Sequence, residues 1–231
     1  HLPRARRTAA QSPFDFGRVF VLDLDSDCHQ RCTFCSTRAK WSPVQAFGGA
    51  TLERIESGLR SAYGDGYRVL RLSGLDPLTH PHVLDGVRMA STLGFEDLHI
   101  YSPSTRYSEP AFLGELLEAS EGMSRSFHVP VYGASAEVHD AMTGLPGSFE
   151  RVTRGLEDLE ERGHGAQIVL LAVLTRQGLS TWTELVGHLS GGAAPLQVFL
   201  PFPSTRSRDD AFFDVATTHE EALRALVTAG S

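Results

Sequence analysis

The sequence predicts an α/β protein in which six parallel strands form a partial (β/α)6 barrel. From residue 19 onward, short runs of β-branched or aromatic residues alternate with amphipathic stretches, a pattern typical of a parallel sheet with crossover helices. A complete (β/α)8 barrel takes roughly 250 residues, so six such units in a chain of 231 residues predict a barrel that does not close. We expect residues 1–17 to be an N-terminal tail, 18–210 to form the barrel, and 211–231 to form a C-terminal helix packed on it.

The strands are the short apolar runs that end in turn-forming residues. In chain order they are predicted over 19–25, 67–73, 97–102, 126–132, 167–175 and 196–200. The sites of such sheets gather at the carboxyl ends of the strands, so the segments that follow these runs are where functional residues are expected.

The helices are the amphipathic stretches between the strands. They are predicted over 52–63, 82–93, 110–119, 148–162, 181–189 and 219–229. Thr51 is a candidate N-cap for the first helix, and Gly64-Asp65-Gly66 ends it. Gly94 caps the second helix, and residues 133–147 are predicted to be a long loop before Ser148 opens the fourth.

All three cysteines lie within the eight residues from Cys28 to Cys35, directly after the first strand. Spacings of three and two residues let the thiols face one point only if the backbone wraps around that point. Thiolates prefer soft or borderline metals, and iron-sulfur clusters are held chiefly by cysteine. A structural zinc needs a fourth ligand, and the nearby His29 is poorly placed between Cys28 and Cys32. A four-iron cluster on three cysteines leaves one iron open, as catalysis requires.

This C-x3-C-x2-C pattern, with the aromatic Phe34 before its last cysteine, resembles the signature of the radical S-adenosylmethionine (radical SAM) superfamily. The resemblance implies a TIM-like partial barrel of the radical SAM core type, with a lateral opening. It also implies that Cys28, Cys32 and Cys35 hold a 4Fe-4S cluster, whose open iron is chelated by S-adenosylmethionine. Phe34 would then lie beside the adenine.

Ser73-Gly74-Leu75-Asp76-Pro77 follows the second strand, where the family usually carries a Gly-Gly-Glu-Pro segment. Leu75 replaces the second glycine and Asp76 replaces the glutamate. The resemblance implies that carbonyls around Gly74 and Leu75 accept hydrogen bonds from the ammonium group of S-adenosylmethionine. Taken without that context, these residues would simply form a turn.

Several polar residues are weaker candidates for binding S-adenosylmethionine. Ser102 and Ser104 follow the third strand, and a hydroxyl there would either reach the ribose or cap the loop. The serine that relatives carry on strand four is absent, so Tyr132 or Ser135 is expected to substitute for it. Arg206, after strand six, would meet the carboxylate of S-adenosylmethionine or of a substrate, although surface exposure is the usual state of an arginine.

The segment from Tyr132 to Phe149 resembles one that is frequent in radical SAM enzymes that modify peptides. Its His139-Asp140 pair would serve either as an acid-base pair or, as we favour, to hold the loop. His99 and His128 lie on predicted strands and are read as core or edge residues as readily as ligands.

The resemblance implies reductive cleavage of S-adenosylmethionine to a 5′-deoxyadenosyl radical that abstracts hydrogen from a substrate. The first hypothesis for that substrate is a ribosomal precursor peptide, which would be cross-linked or similarly matured. A small molecule of cofactor or natural-product biosynthesis is the second hypothesis, and a non-catalytic zinc-binding protein is the third. An electron donor such as flavodoxin or ferredoxin is the expected partner of an enzyme of this kind.

The composition limits the setting and the partners. A net charge of -7 and a pI near 5.8 supply no basic field for phosphate backbones, so no nucleic-acid partner is expected. No apolar run approaches the roughly 20 residues needed to cross a bilayer, so no membrane association is expected. We expect a cytoplasmic, reducing location, which an oxygen-labile cluster also needs.

Overall fold

The computed structural model describes residues 19–24, 27–32, 34–35, 49–189, 194–200 and 216–229. Its centre is a six-stranded sheet in the order β1-β2-β3-β4-β5-β6, and every neighbouring pair is parallel. The strands are β1 (Val19–Asp23), β2 (Val69–Ser73), β3 (Asp97–Tyr101), β4 (Ser124–Pro130), β5 (Ile168–Val173) and β6 (Leu196–Phe199). This topology confirms the predicted partial (β/α)6 TIM-like barrel, since each strand adds beside the previous one and the described pairings leave β1 and β6 at its two edges.

Seven α-helices cover the sheet within the described residues. They are α1 (Leu52–Gly64), α2 (Val83–Leu93), α3 (Pro110–Ala119), α4 (Ala136–Thr143), α5 (Ser148–Glu161), α6 (Trp182–Leu189) and α7 (His219–Ala229). The predicted caps are confirmed: the Thr51 hydroxyl accepts from the Arg54 N–H, and Gly94 ends α2 with a φ of 96°. In that left-handed conformation a side chain is strained, so glycine suits the position.

The prediction of one long loop over 133–147 was wrong, because α4 forms inside it. Helix α4 buries His139, Met142 and Thr143 on one face, and Gly144 ends it with a φ of 61°. The sequence predicts a loop here because glycine and proline residues lie near both ends of the segment, and the buried face of α4 is only two turns long. The fourth strand is also shifted from the prediction, since it begins at Ser124 and ends at Pro130.

The two faces of the strands differ in chemistry. Side chains facing the helices, such as Leu70, Leu98 and Phe127, are fully buried in the hydrophobic core. The alternate positions face the inside of the barrel and include Arg71, His99, Tyr101, Ser126 and His128. Barrel interiors are usually filled by branched apolar side chains, so a polar interior indicates a functional role.

The predicted domain boundaries stay a prediction, because residues 1–18 and 201–215 are outside the described part of the chain. Helix α7 packs against α6 and buries Ala222. Among the described helices, none combines the length and apolar character needed to cross a membrane.

Candidate active site

The cysteine loop leaves the carboxyl end of β1 and is braced by its own backbone. Cys28 is buried, and its N–H donates to Oδ1 of Asp27 (2.8 Å), while Cys32 and Cys35 are partly exposed. The Arg31 guanidinium folds back and donates to the Cys28 carbonyl (2.7 Å). The Cys35 N–H donates to the Cys32 carbonyl (3.2 Å), so a tight backbone turn connects the last two cysteines.

The loop is also attached to distant parts of the chain. The Arg31 N–H donates to the carbonyl of Thr143 at the end of α4 (2.6 Å). A Cβ on Gly144 would lie only 3.0 Å from the Cβ of Arg31, so glycine permits this approach. The Thr79 hydroxyl donates to the Asp27 carbonyl (2.9 Å). Segments that follow β2 and β4 therefore hold the loop over the barrel.

A cavity of ≈ 310 Å³ lies between the cysteine loop and the carboxyl ends of β2 to β6. Eight of the predicted site residues line it: Cys28, Cys32, Phe34, Cys35, Gly74, Leu75, Ser102 and Tyr132. Three predicted residues, Asp76, Ser104 and Ser135, are not among the residues that line it, and Arg206 lies outside the described residues.

Gly74 adopts a backbone conformation in which a residue with a Cβ would be strained. Its φ is 122°, and a Cβ there would lie 2.6 Å from Oδ1 of Asp23 at the end of β1. Gly74 and the following Leu75 line the cavity together with the three cysteines.

Asp76 and Ser104 do not line the cavity but form hydrogen bonds to Ser102, which does. The Asp76 carboxylate accepts from the Leu78 N–H (3.2 Å) and from the Ser102 hydroxyl (2.8 Å), and burial raises the pKa of this carboxyl. Ser104 is fully buried with a φ of 67°, and its hydroxyl donates to the Ser102 carbonyl (2.7 Å). These bonds join the ends of β2 and β3, and they position Ser102 at the cavity wall.

His139 and Asp140 hold the segment after β4, as the favoured interpretation expected. Nδ1 of His139 accepts from the Tyr132 N–H (3.2 Å), and burial lowers the pKa of His139 to about 4. Asp140 turns away and accepts from the N–H groups of Gly147 and Phe149 at the start of α5. Burial opposes ionisation of Asp140, but these backbone bonds outweigh it and lower its pKa. The two side chains therefore have separate structural partners. Ser135 precedes α4, and its carbonyl accepts from the His139 N–H (3.0 Å).

The rings of Tyr101 and His128 form the floor of the cavity, and the sequence analysis did not assign them to the site. The ring of His128 stacks on Tyr101, with centroids 3.9 Å apart and planes 10° apart, and both residues line the cavity. Below them, the Arg71 guanidinium lies 4.8 Å from the Tyr101 ring, and His99 lies beside His128. Burial, followed by the charges of His99 and Arg71, lowers the pKa of His128 to about 3, so its imidazole is neutral at pH 7. The sequence does contain a signal for this floor, because polar residues occupy alternate positions of the three consecutive strands β2, β3 and β4.

Comparison with known proteins identifies the family. The model of the Radical SAM superfamily matches residues 26–186, which contain the cysteine loop and strands β2 to β5. The chain belongs to the radical SAM superfamily.

Curated relatives of this radical SAM protein carry the name AdoMet-dependent heme synthase. The relative from Methanosarcina barkeri is 29% identical over 190 residues, which cover 82% of this chain and 52% of the relative. The relative from Oleidesulfovibrio alaskensis is 26% identical over 208 residues, which cover 89% of this chain and 51% of the relative. The chain thus spans about half the length of the curated relatives it matches.

Solved structures share the fold at low sequence identity. Native anSMEcpe with bound AdoMet matches with a TM-score of 0.69 and 14% identity, over 92% of this chain and 60% of that chain. Streptococcus suis SuiB bound to precursor peptide SuiA matches with a TM-score of 0.59 and 14% identity, over 78% and 38% of the two chains. Both likenesses show the radical SAM barrel.

The family implies a 4Fe-4S cluster and S-adenosylmethionine as cofactors. The residues present fit both groups. Three thiols on one loop open into a single cavity, as a cluster with an open iron needs. An aromatic ring and the backbone of Gly74, in a conformation that would strain a residue with a Cβ, line the same cavity.

Proposed function

We propose that this chain is the catalytic core of a radical SAM enzyme that removes a hydrogen atom from an organic substrate. The observation that supports this most directly is the convergence of Cys28, Cys32 and Cys35 on one cavity at the carboxyl ends of the strands. When bound, the reduced cluster supplies the electron that cleaves S-adenosylmethionine to methionine and a 5′-deoxyadenosyl radical. The protein supplies orientation and exclusion of water.

We assign the binding roles by the position of each residue on the cavity wall. The three cysteines would hold the cluster, the carbonyls around Gly74 and Leu75 would accept from the ammonium group, and Phe34 would lie beside the adenine. Ser102 lines the wall that the ribose would face, and its hydroxyl donates to Asp76 and accepts from the Ser104 N–H. The Arg206 role toward a carboxylate rests on the sequence alone.

Three predicted contacts are better assigned to support. Asp76 and Ser104 bond to Ser102 and its neighbours rather than lining the cavity, so we propose that they act by fixing the wall. Ser135 similarly serves the start of α4.

We propose that the substrate is bound over the Tyr101 and His128 floor, opposite the cysteine loop. The rings of Tyr101 and His128 are stacked and line the cavity. A stacked aromatic pair offers a flat apolar face, so a substrate with a flat apolar surface would fit this floor.

A ribosomal precursor peptide is the first candidate for that substrate. Its support is the resemblance of the segment after β4 to peptide-modifying members of the family, together with an open side at β6. Val198, Phe199 and Leu200 are exposed there, and the last two also line the cavity. An apolar margin of this kind would accept side chains that flank the reacting residue.

A small molecule of tetrapyrrole type is the second candidate. Its support is that curated relatives matched over more than four-fifths of this chain are named AdoMet-dependent heme synthase. Because the chain spans about half the length of those relatives, this substrate and the reductant, a flavodoxin or ferredoxin, are proposals for the whole protein.

The test is anaerobic reconstitution with iron and sulfide, followed by dithionite and S-adenosylmethionine. We expect about four irons per chain and 5′-deoxyadenosine detected by mass spectrometry, both lost in Cys32→Ala. One bound zinc and no sulfide would contradict the proposal. The two candidate substrates are then compared by adding an iron porphyrin or pooled random peptides. If only the porphyrin raises the 5′-deoxyadenosine yield, the tetrapyrrole candidate is selected. If only the peptides raise it, the peptide candidate is selected.

A further inference from the structure

Tyr132 combines features that the proposed binding roles do not use. It lies just beyond β4, where the Val131 N–H still donates to the Leu171 carbonyl of β5 (2.8 Å). Its side chain lines the cavity together with all three cysteines. In the described part of the chain, no protein acceptor takes a hydrogen bond from its hydroxyl.

The Tyr132 ring is held between two other rings. On one side it packs on His139, with centroids 5.6 Å apart, and the same histidine accepts a bond from the Tyr132 backbone. On the other side it meets Phe34 edge to face, with centroids 4.8 Å apart and planes 69° apart. Because Phe34 lies between Cys32 and Cys35 in the chain, this contact locks Tyr132 to the cysteine loop.

The Tyr132 hydroxyl has a proton to donate at neutral pH, since a phenol ordinarily titrates near pH 10. Burial, followed by the side chains of Cys32, Cys35 and Cys28, raises the pKa of Tyr132 further. The pKa of Tyr101, on the floor of the same cavity, is raised by burial, and the charge of Arg71 opposes that rise.

We propose that the Tyr132 hydroxyl donates a hydrogen bond to sulfur of the cluster held by Cys28, Cys32 and Cys35 and thereby raises its reduction potential. This inference rests on the proposed function. A hydrogen bond to a cluster sulfur stabilises the extra negative charge of the reduced state, and such bonds are among the properties that set cluster potentials. Tyr132 would thus ease the uptake of the electron that starts the reaction.

The alternative role for the same hydroxyl is a contact with the ribose of S-adenosylmethionine. The two roles differ in one measurable way. A bond to the cluster shifts the potential when S-adenosylmethionine is absent, whereas a bond to the ribose affects only the affinity for S-adenosylmethionine.

The test is Tyr132→Phe, which removes the hydroxyl and keeps the ring between His139 and Phe34. Wild type and variant are reconstituted, their iron and sulfide are measured, and the cluster is titrated by potential-controlled electron paramagnetic resonance without S-adenosylmethionine. We expect about a tenfold smaller equilibrium constant for reduction, which is 59 mV for one electron. Tyr101→Phe, which removes a hydroxyl from the floor of the same cavity, is the matched control and is expected to leave the potential unchanged.

An unchanged potential in Tyr132→Phe with an intact cluster would overturn the inference, and a parallel loss of S-adenosylmethionine affinity would assign the hydroxyl to the ribose. If the variant does not retain its cluster, 3-fluorotyrosine at position 132 decides the question. Its hydroxyl is a stronger donor, so the potential should rise, and no rise would refute the bond. Failure of the wild-type protein to bind a cluster would instead refute the proposed function.

Discussion

Replacing Gly74 with alanine is expected to weaken S-adenosylmethionine binding at least about tenfold while the barrel still folds. The φ of 122° at this position costs a residue with a Cβ about 1–3 kcal/mol. The added methyl group would also lie 2.6 Å from Oδ1 of Asp23, where ordinary contacts begin at 3.4 Å. The β2 terminus or the Asp23 side chain must therefore move, and either movement displaces the carbonyls that we assign to the ammonium group.

Gly66→Ala separates backbone strain from the effect on the site. Gly66 also has a positive φ, 90°, but nothing lies within 4 Å of the Cβ it would gain. Both variants should lower the melting temperature of the cluster-free protein by about 2–12 °C, since 1 kcal/mol corresponds to about 2–4 °C at this chain length.

The assay is equilibrium binding of S-adenosylmethionine to the reconstituted proteins, with the iron content of each preparation matched. Gly74→Ala should bind at least about tenfold more weakly than Gly66→Ala, which corresponds to about 1.4 kcal/mol. Equal affinity in the two variants would show that the Gly74 segment does not contact S-adenosylmethionine, and the role assigned to its carbonyls would be wrong.

Four further variants test how the surrounding structure is held. Gly155→Ala should destabilise the protein by about 1–3 kcal/mol in urea unfolding, because its Cβ would lie 2.8 Å from the Cβ of Tyr107. Gly187→Ala is the control within a helix, because nothing lies within 4 Å of the Cβ it would gain. It should stabilise the protein by about 0.5–1 kcal/mol. Asp140→Ala should cost about 1 kcal/mol at pH 7 through loss of the α5 cap, and this difference from wild type should vanish as acid protonates the carboxyl. Because the folded-state pKa of His139 is lowered to about 4, the unfolded state binds the extra proton between about pH 6.5 and pH 4, so unfolding free energy should fall as pH falls through that window. His139→Asn, whose side-chain oxygen can replace Nδ1 as acceptor, should flatten that slope, and an unchanged slope would contradict the assignment.

Local patterns in the sequence were sufficient to predict the barrel, and they also predict the cluster ligands. The order of strands and helices follows from alternating apolar runs and caps, and each parallel strand adds next to its predecessor because a right-handed crossover brings it there. Cys28, Cys32 and Cys35 are close in the chain, so their spacing alone predicts a shared site. Gly74 was identified because the segment directly after β2 resembles the family's Gly-Gly-Glu-Pro segment, and that resemblance is visible without any tertiary contact.

Other site features depend on contacts between segments that are far apart in the chain. Asp76 and Ser102 are 26 positions apart, and only their hydrogen bond shows that the carboxylate supports the wall rather than lining the cavity. Helix α4 was missed because two turns have little intrinsic stability, and it forms here by burying His139 and by docking on the cysteine loop.

The sequence by itself determined the fold class and the family, and it predicts the cysteine ligands, because each depends on residues that are neighbours in the chain. Only the tertiary structure decided which polar side chains face the cavity. It set Tyr132 against Phe34 and built the Tyr101 and His128 floor from two strands. The direction of a side chain depends on which hydrogen bonds and packing contacts the assembled barrel provides, and those partners come from segments that sequence spacing does not bring together.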